Sequence, residues 1–359
     1  MKPEDRTDAN GIRARLLPMF PLSIVLGGLE LQCLKTCAAL RQAGVAAELL
    51  DYHDANDRFD ILHLFGSSEN FYDLCQQATN KWPIVVSAVS GAPSAARWRA
   101  PIWQTASKLA ARVKLQTNYH RLRSVYHLAS AVICLNQLEA DFLRVTYGVP
   151  QERIEIVTNG VNEECFRAEG ESFVRRYGVK DFVLFTGNIV RRKNPSQLAR
   201  ALRQMDCPGV FIGGTLAAEQ SYADEFADLV SSAPNLLWIR SLPHDDPLLA
   251  SAYAAARVFC LPSVSETQSL SALEAMATGT AVILGDLPYA YQSPFENSLR
   301  CNPTNEDSIK ESLEKALSDP AGYGVKLPES YSWTNVARRI ARIYERVLAK
   351  PRGEVLNGR

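Results

Sequence analysis

Two successive rounds of short apolar runs alternating with helical stretches restrict the fold of this chain more than any other feature. In the first half ARLLPMF, VAAELLDY, FDILHLFG, PIVVSAVSG, SAVICLN and IEIVTNGV read as strands. LELQCLKTCAALRQAG reads as a helix, with Leu31, Leu34 and Ala38 on one face and Gly44 closing it. Further helices are expected over 74–78 and from about 104 to 128. After Asn159-Gly160-Val161, the segment NEECFRAEGESFVRRYGVK is polar, shows no strong period and reads as a linker. The alternation then restarts: DFVLFTG, GVFIGG, NLLWIRS and LRCNP as strands, with NPSQLARALRQM, SYADEFADLVSS, PLLASAYAAA and NEDSIKESLEKALSDP as helices. Such alternation implies right-handed crossovers and parallel sheets. A length of 359 residues suits two domains. The expected architecture is therefore α/β, with two doubly wound Rossmann-like domains facing across a cleft. The expected boundaries are a mobile tail at 1–14, a first domain at 15–165, a linker at 166–180 and a second domain at 181–333. A terminal helix over 334–350 carries Val336, Ile340, Ile343 and Val347 on one stripe, so it packs against something large.

Lys+Arg and Asp+Glu both number 39, so general attraction to nucleic acid is not indicated. No apolar run approaches the ~20 residues that span a bilayer, and the polar start MKPEDRTDANGIRAR lacks the apolar core of a secretion signal. A cytoplasmic protein is expected. The eight cysteines fall within apolar elements and read as small buried hydrophobes of a reducing compartment. Cys33 and Cys37 lie one helical turn apart without a further ligand to complete a metal site. Charge is uneven, however. No Asp or Glu occurs over 74–138, which holds Lys81, Arg97, Arg99, Lys108, Arg112, Lys114, Arg121 and Arg123. Trp98, Trp103, Tyr119 and Tyr126 are interleaved with these cations. Such a mixture over 96–128 suits an anionic membrane surface; cations lining a diphosphate site, or a plain solvated helix face, account for it as well.

The stretch VFCLPSVSETQSLSALEAMATGTAVILG (258–285) carries the densest chemical signal. It reads as a buried strand (Val258–Leu261), a polar turn, a helix (Leu270–Thr278) ended by Gly279, and a second strand over 281–284. In an open α/β sheet the turn after a strand lies at the carboxyl edge, where ligands bind. The N–H groups of a helix start attract an anion there. Glu266 and Glu274 flank this anion site, an unfavourable placement unless the ligand also presents hydroxyls. A nucleotide-sugar does so, with a diphosphate for the N–H groups and sugar hydroxyls for the carboxylates. Ordinary α/β scaffold explains the stretch almost as well when it is taken alone.

Five segments in order resemble the retaining glycosyltransferases of family 4, which have the GT-B fold. They are GGLELQ, SAVICLNQLEADFL, RIEIVTNGVN, FTGNIVRRKN and SETQSLSALEAMATGTAVI, and SWTNVARRIARIYERV is similar to the family's closing helix, which crosses back to the first domain. The resemblance implies that Glu266 contacts the donor sugar and Glu274 the ribose. It implies that Thr267, Gln268, Ser269 and Leu270 offer backbone N–H groups to the diphosphate and sugar. It makes Lys193 the cation on the leaving diphosphate, and Gly28 of the Gly27-Gly28 turn a point of close backbone approach. Two positions depart from the family. Asn188 stands where the family has arginine, leaving Arg191 or Arg192 to supply the charge. Ser90 stands where the family commonly has a histidine that meets the transferred sugar; His63 and His120 do not match that position and read as structural.

The resemblance therefore implies a retaining hexosyltransferase that moves a sugar from a UDP-, GDP- or similar nucleotide-sugar to a glycan or lipid-linked acceptor in polysaccharide biosynthesis. Neither a metal nor another cofactor is expected, because cations and the helix start neutralise the leaving group. A lipid-linked acceptor would place the protein peripherally on the inner face of the membrane. The departures at Asn188 and Ser90 motivate one alternative, a catalytically silent binding subunit of a glycan-assembly complex.

Overall fold

A computed structural model describes residues 11–22, 27–90 and 117–350. Two units divide the chain: Met1–Gly160 together with Trp333–Arg359, and Val161–Ser332.

The first unit is built on six parallel strands, β1 (Arg13–Pro18), β2 (Ala46–Leu49), β3 (Ile61–Phe65), β4 (Ile84–Ser87), β5 (Ala131–Cys134) and β6 (Ile154–Ile156), in the order β2-β1-β3-β4-β5-β6. Every residue of β3, β4 and β5 is buried. Strands apolar on both faces need cover on both faces, which is why this sequence makes a parallel sheet rather than a half-exposed antiparallel one. Helices α1 (Gly28–Gln42), α2 (Tyr72–Ala78), α3 (Asn118–Leu128) and α4 (Gln137–Tyr147) provide part of that cover.

Two expectations change here. Arg13 and Ala14 belong to β1 rather than to a tail: Ala14 is fully buried and Arg13 pairs with Asp60 at 3.1 Å. Residues 1–10 lie outside the described residues. Within the span where a helix is expected from 104 to 128, a helix begins at Asn118, because Thr117 is extended and its Oγ1 accepts from His120 N at 3.2 Å, a side-chain cap. Its preceding stretch lies outside the described residues, as do Trp98 and Trp103.

In the second unit the segment expected as linker carries a helix, α5 (Glu171–Tyr177), whose Phe173 is fully buried. The sheet comprises β7 (Val183–Thr186), β8 (Gly209–Ile212), β9 (Leu236–Ile239), β10 (Val258–Leu261), β11 (Ala281–Gly285) and β12 (Leu299–Cys301), again all parallel, in the order β12-β11-β10-β7-β8-β9. Counted within the unit, this is the Rossmann order 3-2-1-4-5-6 seen from its other edge. Its helices include α6 (Pro195–Gln204), α7 (Gln220–Ser231), α8 (Pro247–Ala255), α9 (Leu270–Thr278), α10 (Glu306–Ser318) and the single turn α11 (Pro320–Tyr323). One continuous core of aromatic and branched side chains, including Phe182, Phe185, Phe211, Phe226 and Phe259, fills the space between helices and sheet.

Helix α12 (Trp333–Ala349) completes the first unit. It packs on α1 with Val336, Ile340, Ile343 and Val347 buried. Tyr344 reaches further in: its hydroxyl lies 2.7 Å from His63 Nδ1, while His63 Nε2 lies 2.9 Å from Ser87 Oγ. Complete burial pushes the imidazole of His63 down to about 3, so it is neutral and serves as a buried polar connector of β3, β4 and α12.

Candidate active site

Strand order in the second unit reverses between β7 and β10, and this opens a crevice at the carboxyl ends of those two strands. Their following loops run together there: Val264 N donates to Arg192 O at 2.8 Å. The loop after β7 begins at Gly187, whose φ of +135° lies in the region that favours glycine. A Cβ at Gly187 would stand 2.8 Å from Lys193 Nζ, so the absent side chain leaves the path that the lysine follows. Asn194, left-handed at φ +59°, then turns the chain into α6, where Pro195 takes the first helical position. Lys193 is thereby directed at the crevice and kept mostly out of solvent.

Three charges meet at this point. Arg192 Nη1 lies 2.8 Å from Glu266 Oε1, and Lys193 Nζ lies 3.6 Å from the same oxygen. Ser263 Oγ donates to Glu266 Oε1 at 3.2 Å, and Arg192 Nη1 also donates to Ser265 O at 2.6 Å. Burial pushes the Glu266 carboxyl upward, but the charges of Lys193 and Arg192, with the hydrogen bonds of Arg192 and Ser263, outweigh it. The net effect holds Glu266 below the ordinary carboxylate range, ionised at neutral pH. Two cations against one carboxylate leave one positive charge in excess.

Helix α9 begins beside Glu266. Ser269 caps it, its Oγ accepting from Ala272 N at 3.3 Å. Leu270 and Ser271 follow in the first turn, where N–H groups have no intrahelical acceptor and carry the positive end of the helix dipole. Thr267 is half-buried; Gln268 and Ser269 are buried. Gly279 ends the helix in the left-handed conformation at φ +84°.

Glu274, one turn further along α9, joins a separate buried cluster. Tyr253 Oη donates to Glu274 Oε2 at 2.8 Å and lies 2.7 Å from Thr186 Oγ1. His244 Nδ1 lies 3.5 Å from Glu274 Oε1. Burial, reinforced by the neighbouring carboxylate, drives the Tyr253 hydroxyl far above its usual value, so it stays a proton donor. Thr186 immediately precedes Gly187, so this chain of polar contacts ends where the Lys193 loop starts.

The expected residues thus divide. Lys193 and Arg192 both contact Glu266; Glu274 lies on α9, the helix that follows Glu266, and sits among Tyr253, Thr186 and His244. Asn188 is half-buried directly after Gly187. Arg191 is turned away: its guanidinium stacks over Tyr222 at 4.9 Å and its N–H donates to Glu219 at 2.6 Å, so of the two arginines weighed above only Arg192 faces the cluster. Gly28 belongs to the first unit, where it opens α1; a Cβ there would meet nothing within 4 Å. Ser90 also belongs to the first unit, and its N–H donates to the buried carboxylate of Glu139. Sequence reading missed Ser263, Tyr253, His244 and Glu139. Only Ser263 had an accessible signal, as a polar residue in the turn already singled out.

Of the cationic and aromatic set over 96–128, residues to 116 lie outside the described residues. In the described part Tyr126 is fully buried, Tyr119 Oη donates to Thr146 O at 2.6 Å, and Arg121 pairs with Asp73 at 2.7 Å. Tyr126 therefore serves the core of the first unit, whereas Tyr119 is half-buried. Among the described residues no helix is long and apolar enough to cross a membrane.

Comparison with known proteins gives concordant matches. The family model "Glycosyl transferases group 1" matches residues 171–338, and "Glycosyltransferase Family 4" matches 35–164. A D-inositol 3-phosphate glycosyltransferase of Mycobacteroides abscessus is 29% identical over 280 residues, covering 70% of this chain and 62% of that protein. The match spans about three fifths of the length of several curated relatives. Among solved structures, a sucrose-phosphate synthase from Thermosynechococcus elongatus superposes with a TM-score of 0.71 at 17% identity, covering 94% of this chain and 99% of that one. The Anabaena protein HepE in complex with UDP-glucose gives 0.63 at 15% identity, covering 94% and 98%. These likenesses establish the fold class as GT-B, with two Rossmann-like units.

Proposed function

Because the chain belongs to the family 4 glycosyltransferases, we propose that it moves a hexosyl unit from a nucleotide-sugar to a glycan or lipid-linked acceptor, with retention of anomeric configuration. The observation that carries this reading is the convergence of Lys193 and Arg192 on Glu266, beside the start of α9, at the reversal point of the second sheet. One excess positive charge, next to a helix start, suits a diphosphate. A relative named as a glycosyltransferase and a solved structure holding UDP-glucose support the donor class.

Each residue then has a task. Lys193 and Arg192 neutralise charge that builds on the diphosphate as the bond from the anomeric carbon to the phosphate oxygen breaks. The N–H groups from Thr267 to Leu270 take the remaining phosphate oxygens, with Asn188 donating from the neighbouring loop. Glu266, kept ionised, accepts from hydroxyls of the transferred sugar. Glu274 Oε2 is committed to Tyr253, which leaves Oε1 to accept from a ribose hydroxyl. Gly28 offers an unobstructed backbone to the donor or acceptor. The departing phosphate takes the acceptor's proton, so no separate general base is required and no metal is needed for charge. Residues 96–128, apart from the buried Tyr126, are the proposed contact with an anionic membrane, which pelleting with anionic liposomes at low salt tests.

Incubation with a panel of UDP-, GDP- and ADP-sugars, followed by NMR of the anomeric proton of the released or transferred sugar, tests the reading. Turnover of one donor with retained configuration is expected. Inverted product, or no turnover of any donor, contradicts it.

A further inference from the structure

Glu139 is a buried carboxylate in the first unit that the proposed chemistry does not use. It lies in the first turn of α4 and is 1% exposed. An acid at this place in a helix ordinarily turns back to cap its own helix. Glu139 also reaches beyond its own helix, along the carboxyl edge of the sheet. Its Oε2 accepts from Leu135 N at 2.6 Å, at the end of β5, and its Oε1 accepts from Ser90 N, beyond β4. Asn136 caps α4, its side chain accepting from Glu139 N at 2.9 Å.

The residue before Ser90 explains why this contact matters. Val89 has φ +45°, a left-handed conformation that a β-branched side chain adopts only when its surroundings impose it. The chain on one side of Val89 is fixed: Ala88 N donates to Ile133 O at 2.9 Å and Ala88 O accepts from Ser67 Oγ at 2.7 Å. On the other side, the hold among the described residues is Glu139. We propose that Glu139 is a positioning residue, whose carboxylate, by accepting the N–H of Ser90, keeps Val89 left-handed and sets the backbone that leaves β4 at the sheet's carboxyl edge. That edge is where ligands of doubly wound sheets bind. The inference concerns the first unit alone and does not depend on the donor site proposed for the second.

A charged acceptor can serve two N–H donors at once, whereas a protonated carboxyl turns one of its oxygens into a donor. Glu139 is therefore a hold that pH can weaken. The titratable side chains facing it are Tyr126 and Cys134, both uncharged, and among the described residues no cation pairs with it. Burial raises its carboxyl to about 7, against the lowering effect of the two N–H groups. The folded chain therefore retains a proton that the unfolded chain has lost. This contribution to stability is full below about 4.5 and is lost as pH rises through about 7, while the hold on Ser90 strengthens over that same rise.

Amide NMR of the full chain tests the proposal. In the wild type the Ser90 and Leu135 amide resonances should titrate together with a midpoint near 7. In Glu139→Gln, which presents an NH2 group to one of the two donors, that titration should vanish. Ser90 exchange with solvent should then accelerate by about tenfold or more. Adding Val89→Gly, which accepts the left-handed conformation without being held, should return most of the lost protection. If Glu139→Gln fails to fold, Glu139→Asp, one methylene shorter, should show the same loss at Ser90. Absence of the wild-type titration, unchanged Ser90 exchange in the variant, or failure of Val89→Gly to restore protection overturns the proposal.

Discussion

At the scale of single residues, the site is defined by how charge is balanced around Glu266. Lys193 is the donor whose loss should be felt in the departure of the leaving group. Lys193→Ala is expected to lower kcat by roughly 10²–10³-fold, about 3–4 kcal/mol, as is typical when one charge-stabilising donor is removed. The two acids should separate in their effects. Glu274→Ala is expected to weaken nucleoside diphosphate affinity, whereas Glu266→Ala should leave that affinity nearly intact and depress transfer; calorimetry and a transfer assay on both variants check this. Glu266 also predicts a pH response. Its folded value is depressed, so its contribution to stability is present above about 4.5 and is lost as pH falls through the lower folded value. Melting temperatures of the wild type and of Glu266→Gln should therefore converge as the medium is acidified.

At the scale of elements, the site exists because two loops after non-consecutive strands are pinned together. Gly187 is the position where that arrangement is least tolerant. Gly187→Ala places a Cβ 2.8 Å from Lys193 Nζ at a φ of +135°, so it should displace the lysine and lower thermal stability, by about 1 kcal/mol or more. Equilibrium unfolding measures the stability term and the nucleotide affinity of the same variant reports the lysine. A second element-scale expectation concerns α12. Tyr344→Phe leaves His63 Nδ1 buried without its partner, which should destabilise by about 1–3 kcal/mol. Denaturant unfolding that shows no change would mean that the His63–Tyr344 contact does not hold α12 in place.

At the scale of the whole molecule, alternation of apolar runs with helical stretches reveals two six-stranded parallel sheets, because strands buried on both faces read as continuous apolar runs. The stretch from Val258 to Gly279 was legible almost residue by residue, since strand, cap, helix and left-handed stop each have their own chemistry. Helix α5 was not legible: Phe173 is its one buried residue, so no period emerges. The role of Glu139 was hidden for a different reason. An acid three residues after Asn136 looks like an ordinary helix cap, and its partner Ser90 lies 49 positions earlier in the chain. Tyr253 and His244 escaped likewise, since contacts to Glu274 across 21 and 30 positions are set by strand order rather than by local pattern. The central claim is that the second unit binds a nucleoside diphosphate through the crevice between β7 and β10. Titration calorimetry of UDP, GDP and ADP against the wild type and Lys193→Ala tests it most directly. One diphosphate should bind the wild type, and its affinity should fall by about tenfold or more in the variant, as for the loss of a charged hydrogen bond. Equal binding to both proteins, or binding of none of the three to the wild type, would contradict it.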